Sequence, residues 1–255
     1  MIRKTLSISA LLLAIALPVA AEATLDEIIA TNIESRGGMK ALKAIESLRI
    51  EGRMAMGPGM EAPITLEMAR PSSMRMEFVF QGMTGIQAYD GETGWQVMPF
   101  AGSSEPEKMS EEEVKQVMDQ ADIDGPLVDY ADKGHKLELL GTEEVDGTEA
   151  HKIKLIKKNG DETIMYLDTE YCLEIKSQQT TNMQGMEVEV EVSYGDYKEV
   201  AGVMMAHSIT QAAQGQPGAM SITFEKVEAN IDLPADRFSM PEKEEAEEPA
   251  AKEGE

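Results

Sequence analysis

The chain lacks the features that would cross-link it or mark it as an enzyme. It has one cysteine, Cys172, so no internal disulfide can form. No G-x-S-x-G elbow, phosphate-binding loop or G-x-G-x-x-G pattern is present. The three histidines, His135, His151 and His207, do not have the spacing of a metal site. The sequence therefore predicts no catalytic group, no cofactor and no metal.

Positive charge and aromatic side chains are also scarce. Lysine and arginine number 23 against 47 acidic residues, which gives a net charge of −24, and aromatic residues make up only 5% of the chain. An acidic surface of this kind repels nucleic acid and anionic lipid headgroups. We therefore expect no nucleic-acid partner, and we interpret the charge as a determinant of solubility.

Long apolar runs are limited to the N-terminus, which has the pattern of an export signal. Arg3 and Lys4 precede an apolar stretch over 6–17, and small residues follow up to Ala21. We expect cleavage after Ala21 and a soluble, monomeric periplasmic protein without a stable membrane anchor. The alternative is that the stretch is retained as an anchor.

Alternation of apolar and polar residues dominates the remaining sequence. Met186, Val188 and Val190, for example, alternate with Glu187 and Glu189. A period of two predicts strands with one polar and one apolar face. Turn residues separate the runs at hairpin spacing, which favours sequential antiparallel pairing. The twelve predicted strands are 47–57, 61–69, 72–80, 84–90, 93–98, 135–140, 149–157, 161–168, 172–179, 186–194, 203–212 and 219–227.

Two helical segments are predicted beside these strands. The first begins with a capping box at Thr24 and Glu27, is interrupted at Gly37-Gly38 and resumes over 39–45; the second begins at the N-cap Ser110. The Gly37-Gly38 break is either a hinge or a fixed corner. We predict a loop over 99–107, one domain over 22–240 and a disordered acidic tail over 241–255. The predicted fold is mainly β (α+β), a curved antiparallel sheet with helices on its concave face.

Sheet area exceeds helix area in this prediction, so part of the apolar face should be free to bind a ligand. The chain has 19 methionines, whose flexible thioethers suit an apolar wall of variable shape. Ordinary core packing is the competing interpretation, and a Cu(I) site is a minor third one. The candidate ligand-binding wall consists of Met54, Met56, Leu66, Met68, Met74, Met76, Phe78, Met186, Val188, Met205, Met220 and Phe224.

Several short patterns resemble those of the periplasmic outer-membrane lipoprotein-sorting proteins with the LolA/LolB-like fold. They are Ile28-Ile29, Gly37-Gly38 and Leu42-Lys43-Ala44-Ile45 in the opening helix, the turn-like run from Gly141 to Gly147, and Tyr166-Leu167-Asp168 followed by Leu173-Glu174-Ile175-Lys176. The resemblance covers nearly the whole chain after residue 21. It implies an incomplete antiparallel barrel, a lid of helices and a cavity for acyl chains.

Three functions are compatible with this sequence. The first is a non-enzymatic periplasmic carrier or sensor of a lipid or lipoprotein acyl chain. The second is a regulatory module that uses the same sheet to bind an envelope protein, without a bound lipid. The third is a hydrolase whose site follows no recognised pattern, which a polar cluster in the pocket would favour. We adopt the first as the leading hypothesis.

Overall fold

A computed structural model describes residues 23–57, 59–183, 186–215 and 218–242. The predicted signal peptide over 1–21 and residues 243–255 of the predicted tail lie outside the described residues. The helices are α1 (Leu25–Ser35), α2 (Gly38–Lys43) and α3 (Glu111–Gln120). The strands are β1 (Ser47–Ala55), β2 (Glu61–Ala69), β3 (Ser73–Phe80), β4 (Met83–Tyr89), β5 (Gly94–Met98), β6 (Ser103–Lys108), β7 (Lys136–Val145), β8 (Thr148–Ile156), β9 (Glu162–Asp168), β10 (Glu174–Met183), β11 (Met186–Val200), β12 (Val203–Ala213) and β13 (Met220–Ala229).

The strands form one antiparallel sheet in the order β6-β5-β4-β3-β2-β1-β13-β12-β11-β10-β9-β8-β7. Neighbours in the sheet are neighbours in sequence except where β1 pairs with β13. The two edges, β6 and β7, do not pair with each other, so the barrel is incomplete, as predicted. In β1 the side chains of Leu48, Ile50 and Met54 are buried, whereas Arg53 is exposed, which confirms the apolar face of this strand.

Two sequence predictions of local structure were wrong. Residues of the predicted loop over 99–107 form a 3₁₀ turn, Pro99–Ala101, and then the edge strand β6. An edge strand needs hydrogen bonds on one side only, so it can carry charges and Pro106, which weaken the sequence signal. Likewise, the strand predicted over 135–140 does not end at Leu140 but continues past a bulge to Val145, and a turn follows at Asp146 and Gly147.

The three helices cover the concave face of the sheet, and we refer to them as the lid. Capping boxes at Thr24 and Ser110 start α1 and α3, as predicted. Burial of apolar side chains then joins the lid to the sheet. From α1, Ile28 and Ile29 pack in one cluster with Ile153, Leu155, Met165 and Leu167. A second cluster joins Leu42 of α2 and Val117 of α3 to Leu48, Met68 and Met74.

The corner between α1 and α2 rests directly on the turn between β11 and β12. Gly37 adopts φ +112, and a Cβ at this position would lie 2.0 Å from the carbonyl oxygen of Gly202. Met204 also donates its backbone N–H to the carbonyl of Arg36 (3.0 Å). These contacts hold the corner against the sheet and favour the fixed-corner interpretation over the hinge.

An ion cluster around Asp124 ties the lid to the end of β2. The Arg70 guanidinium contacts both carboxylate oxygens of Asp124 (2.6 and 3.0 Å), and Lys43 Nζ contacts one of them (2.6 Å). Arg70 also donates to the carbonyls of Leu42 and Ile45, which lie at the end of α2 and just beyond it. Burial alone would raise the pKa of Asp124, but the hydrogen bonds and charges of Arg70 and Lys43 lower it to about 2.

Candidate functional site

A cavity of about 370 Å³ lies between the lid and the sheet. This volume falls in the range of small-molecule sites, roughly 300–1,000 Å³. One part of its wall is a row across three strands, because Ile50 pairs with Val227 on one side and with Leu66 on the other. The other apolar residues that line it are Leu48, Met68, Ile123, Pro126, Leu127, Met165, Leu173, Met204, Met205, Ala206, Ile209 and Phe224.

The predicted wall residues divide into those at the cavity and those elsewhere. Leu66, Met68, Met205 and Phe224 line the cavity. Met54 is buried in a separate apolar cluster with Met56, Phe78 and Met220 packed against it. Met74 is fully buried and Met76 packs beside it in the cluster under the lid. Val188 is half-buried on β11, and the side chain of Met186 lies outside the described residues.

The cavity also has a polar end, which we define as Asn32, Arg36, Glu174, Tyr194 and Tyr197. None of these five belongs to the ligand-binding wall predicted from the sequence. Asn32 and Arg36 lie one turn apart at the end of α1, on the same helix face. The other three come from β10 and β11, which pair with each other. The lid and the sheet therefore meet at this end through polar side chains.

A β-bulge turns Glu174 toward the cavity. Glu174 pairs with Leu167, and Lys176 pairs with the next partner residue, Tyr166, so Ile175 is an extra residue in the strand. The bulge allows Lys176 to form ion pairs with Asp146 and Glu191 away from the cavity, while Glu174 lines it. Bulges commonly re-aim a side chain in this way beside functional sites. Strict alternation would have placed both charges on one face.

A second irregularity brings two tyrosines to the cavity from one strand. Residues three apart in a regular strand point to opposite faces, yet Tyr194 and Tyr197 both line the cavity. Asp196, between them, has φ +52, and this left-handed residue breaks the alternation. The Tyr197 hydroxyl donates to the backbone carbonyl of Glu174 (2.7 Å), and Tyr194 Oη lies 3.3 Å from Ser177 Oγ.

Asn32 fixes α1 to the segment between β9 and β10, and the side-chain oxygen of Asn32 accepts no hydrogen bond from the described residues. Its Nδ2 donates to the carbonyl of Cys172 (2.7 Å), which sets the orientation of the amide. Its Oδ1 is buried without a hydrogen-bond partner in the described part of the chain. Cys172 is the first residue of the strand predicted over 172–179. In the structure it instead precedes the strand, is buried and has φ +54.

Burial raises the pKa of Glu174 to about 8, although the positive charge of Arg36 and a hydrogen bond from Ser177 oppose the change. The Glu174 carboxyl is therefore mostly protonated at neutral pH. Burial is also the largest effect on Arg36, and it lowers the pKa of its guanidinium. Tyr194 and Tyr197 have pKa values raised by burial, so both phenols stay neutral.

The raised pKa of Glu174 predicts a pH-dependent stability. An unfolded glutamate ionises near pH 4.5, whereas the folded one ionises near pH 8, so the folded state loses stability relative to the unfolded state as pH rises between these values. We expect Glu174→Gln to gain about 2 kcal/mol over the wild type between pH 5 and pH 8, since Glu174 is only half-buried and its carboxylate therefore keeps part of its hydration. Urea unfolding at both pH values measures this; parallel pH profiles for the two proteins would contradict it.

Other candidate chemistry is absent from the described ranges. No three His, Cys, Asp or Glu side chains come together there as ligands for a metal ion. His207, close to Met205 in sequence, is buried, and its Nδ1 lies 2.9 Å from the Met205 carbonyl oxygen. Within the same residues, no helix combines the length and the apolar character needed to cross a membrane.

Comparison with solved structures identifies the architecture. A LolA superfamily protein from Nitrosomonas europaea is 13% identical, with a TM-score of 0.56 over 85% of this chain and 98% of its own. The fold is LolA-like. A DUF1329 family protein from Desulfovibrio piger (10% identity, TM-score 0.58, coverage 84% and 96%) has the same LolA-like fold. So does a domain from Vibrio parahaemolyticus whose name proposes outer membrane lipoprotein sorting (11% identity, TM-score 0.56, coverage 82% and 94%).

These similarities concern structure and not sequence. No protein-family model matches the chain, and no curated protein matches it in sequence. At 10–13% identity the solved structures establish the fold alone. A shared fold does not determine function, which depends on the residues of the cavity.

Proposed function

We propose that this protein is a non-enzymatic periplasmic carrier or sensor that binds the acyl chain of a lipid or lipoprotein. The observation that carries the proposal is the cavity of about 370 Å³ under the lid, whose wall is largely aliphatic and methionine side chains. Burying an acyl chain there removes apolar area from water on both partners, which stabilises the complex. The LolA-like fold of the lipoprotein-sorting domain from Vibrio parahaemolyticus is consistent with this role.

The methionines contribute flexibility to the proposed site. Met68, Met165, Met204 and Met205 line the cavity on β2, β9 and β12. Unbranched thioether side chains can change rotamer at little cost, so they can follow acyl chains of different length or unsaturation. A carrier of varied lipids would benefit from such a wall, whereas a narrowly selective pocket would favour branched side chains of fixed shape.

A charge placed in the apolar wall should abolish acyl binding. Leu66→Glu puts a carboxylate beside Ile50 in the apolar row that continues to Val227, and the water that a buried charge retains disfavours an apolar chain there. We expect the affinity for a dansyl-labelled fatty acid to fall roughly tenfold or more. A tenfold fall corresponds to a loss of ~1.4 kcal/mol in binding free energy. Fluorescence titration at neutral pH measures the change.

Leu140→Glu is the matched control, because Leu140 is 48% exposed on β7 and does not line the cavity. Its affinity should equal that of the wild type. Equal affinities for all three proteins would remove the cavity as the binding site, and no binding by the wild type would favour the module that binds a protein partner without lipid. Native mass spectrometry of protein purified from its own periplasm should detect the co-purified lipid.

A further inference from the structure

Arg36 is a cation at the cavity without a carboxylate partner of its own. Its Nη1 donates to the backbone carbonyl of Asp124 (2.9 Å), and it forms no ion pair with the described residues. The nearby acids already have other partners, because Asp124 binds Arg70 and Lys43, and Asp122 binds Lys133. A guanidinium presents five donors in a fixed plane, so most of its hydrogen-bonding capacity meets no acceptor among the residues that the structure describes.

The side chains that face Arg36 from β10 and β11 at the polar end are neutral at neutral pH, and the carboxylates of Asp122 and Asp124, which follow α3, are held by Lys133, Arg70 and Lys43. Glu174 is the carboxyl on the facing strand, and burial keeps it mostly protonated. Tyr194 and Tyr197 are the titratable groups that β11 contributes to the polar end, and their pKa values are raised. The polar end therefore carries one net positive charge and several donors. An anionic oxygen pair, such as a carboxylate, is the chemical complement of this arrangement.

The cavity has room for one acyl chain. A water molecule occupies roughly 30 Å³ in the liquid, and one carbon of an acyl chain has a similar size. A cavity of about 370 Å³ therefore holds about a dozen carbons. A lipid with two or three long chains would need at least twice this volume. A single chain with a small head can lie along the apolar wall and place its head at the polar end.

We propose that Arg36 binds the carboxylate of a single-chain fatty acid, with Glu174 and Tyr194 as additional hydrogen-bond donors to the same group. This assignment rests on the proposed function and adds the chemical class of the ligand. The acidic surface of the protein does not prevent it, because charges farther than about 8 Å are screened at physiological salt. Arg36 lies at the cavity and acts at close range.

A chain-matched ligand series tests the assignment without altering the protein. Dodecanoic acid, methyl dodecanoate and dodecanol differ only in the head, and isothermal titration calorimetry gives the affinity of each. At pH 6.5 the wild type should bind the acid roughly tenfold more tightly than the ester or the alcohol. The reason is that only the acid can form a charge-assisted hydrogen bond with the guanidinium of Arg36. Equal affinities would overturn the carboxylate assignment and leave the acyl-binding function intact. Absence of binding by all three would overturn both.

Two variants locate the preference. Arg36→Gln should bind acid and ester with equal affinity, near that of the wild type for the ester, while Arg36→Lys should recover part of the preference because it restores the charge. Thermal melts of both variants establish that they are folded. A wild-type preference that survives in folded Arg36→Gln would place the carboxylate elsewhere and overturn the assignment.

The preference should also depend on pH. Between pH 6.5 and pH 9 Glu174 ionises beside the bound carboxylate and repels it, so the affinity for the acid should fall several-fold while that for the ester stays constant. In Glu174→Gln the affinity for the acid should not change over this range. A fall of equal size in both proteins would contradict the contact between Glu174 and the ligand head.

Discussion

Gly37→Ala should be the most damaging small substitution in the lid, with an expected loss of about 4 kcal/mol in the free energy of unfolding. The new methyl group would lie 2.0 Å from the carbonyl oxygen of Gly202, closer than any real contact, and alanine is strained at φ +112. Overpacking costs typically about 1–3 kcal/mol and left-handed strain about 1–2 kcal/mol. For a chain of this size the melting temperature should fall by roughly 10 °C.

Gly38→Ala separates the two contributions to this loss. Gly38 also has positive φ (+81), but a Cβ there would meet only Glu34 Oε2, at 3.6 Å. We expect this variant to lose only the strain energy, about 1–2 kcal/mol. Thermal and urea unfolding of both variants measure the difference. Equal losses would mean that the close approach to Gly202 does not hold the corner.

The corner also links the lid to the proposed ligand site. Arg36 immediately precedes Gly37, and its carbonyl accepts the N–H of Met204, which lines the cavity. A corner displaced from the sheet would therefore move the guanidinium relative to β12. Gly37→Ala should consequently lose acyl binding as well as stability, whereas Gly38→Ala should keep its ligand.

Local signals in the sequence predicted most of the architecture. Period-two alternation depends on residues two apart, and a capping box on residues three apart, so both can be recognised without knowledge of the tertiary structure. The same alternation placed Leu66 and Met68 on the apolar face of β2, and both line the cavity. It could not separate them from Met74, which is fully buried, because periodicity gives the face of a strand and not its depth.

The polar end could not be predicted by alternation because both of its strands break the alternation. The bulge at Ile175 turns Glu174 toward the cavity, and the left-handed Asp196 does the same for one of the two tyrosines. One signal was present. Gly195-Asp196 interrupts an otherwise regular strand, and glycine within a strand often marks a bulge. For Glu174 no comparable signal exists, since a charged residue in a strand normally faces solvent.

The contacts of Asp124 were equally hidden. The segment Asp122-Ile123-Asp124-Gly125 has the composition of a helix-ending turn, and turns do follow α3 in the structure. The partners of Asp124, however, are Lys43 and Arg70, which lie far away in sequence. A pairing of this kind depends on how the lid docks on the sheet. Sequence spacing carries no information about it.

Asp124→Asn should lower the free energy of unfolding by about 3 kcal/mol, because removing the buried anion leaves the half-buried Arg70 guanidinium without its partner. The carboxylate of Asp124 is 4% exposed, and its loss would leave Arg70 without an ion-pair partner in the described ranges. Asp129→Asn is the matched control. Asp129 also pairs with Lys43 (2.7 Å), but it is 38% exposed, and exposed pairs contribute at most about 1 kcal/mol.

The pH dependence distinguishes an electrostatic loss from a simple packing defect. The pKa of Asp124 is about 2 in the folded protein against 3.8 as the ordinary value. Because the folded value is the lower one, the stabilisation is complete above about pH 4 and is lost as the pH falls toward 2. The stability difference between wild type and Asp124→Asn, measured by urea unfolding, should therefore be constant from pH 7 to pH 5 and shrink below pH 4. A difference that persists undiminished at pH 2.5 would assign the loss to packing of the lid and not to the charge of Asp124.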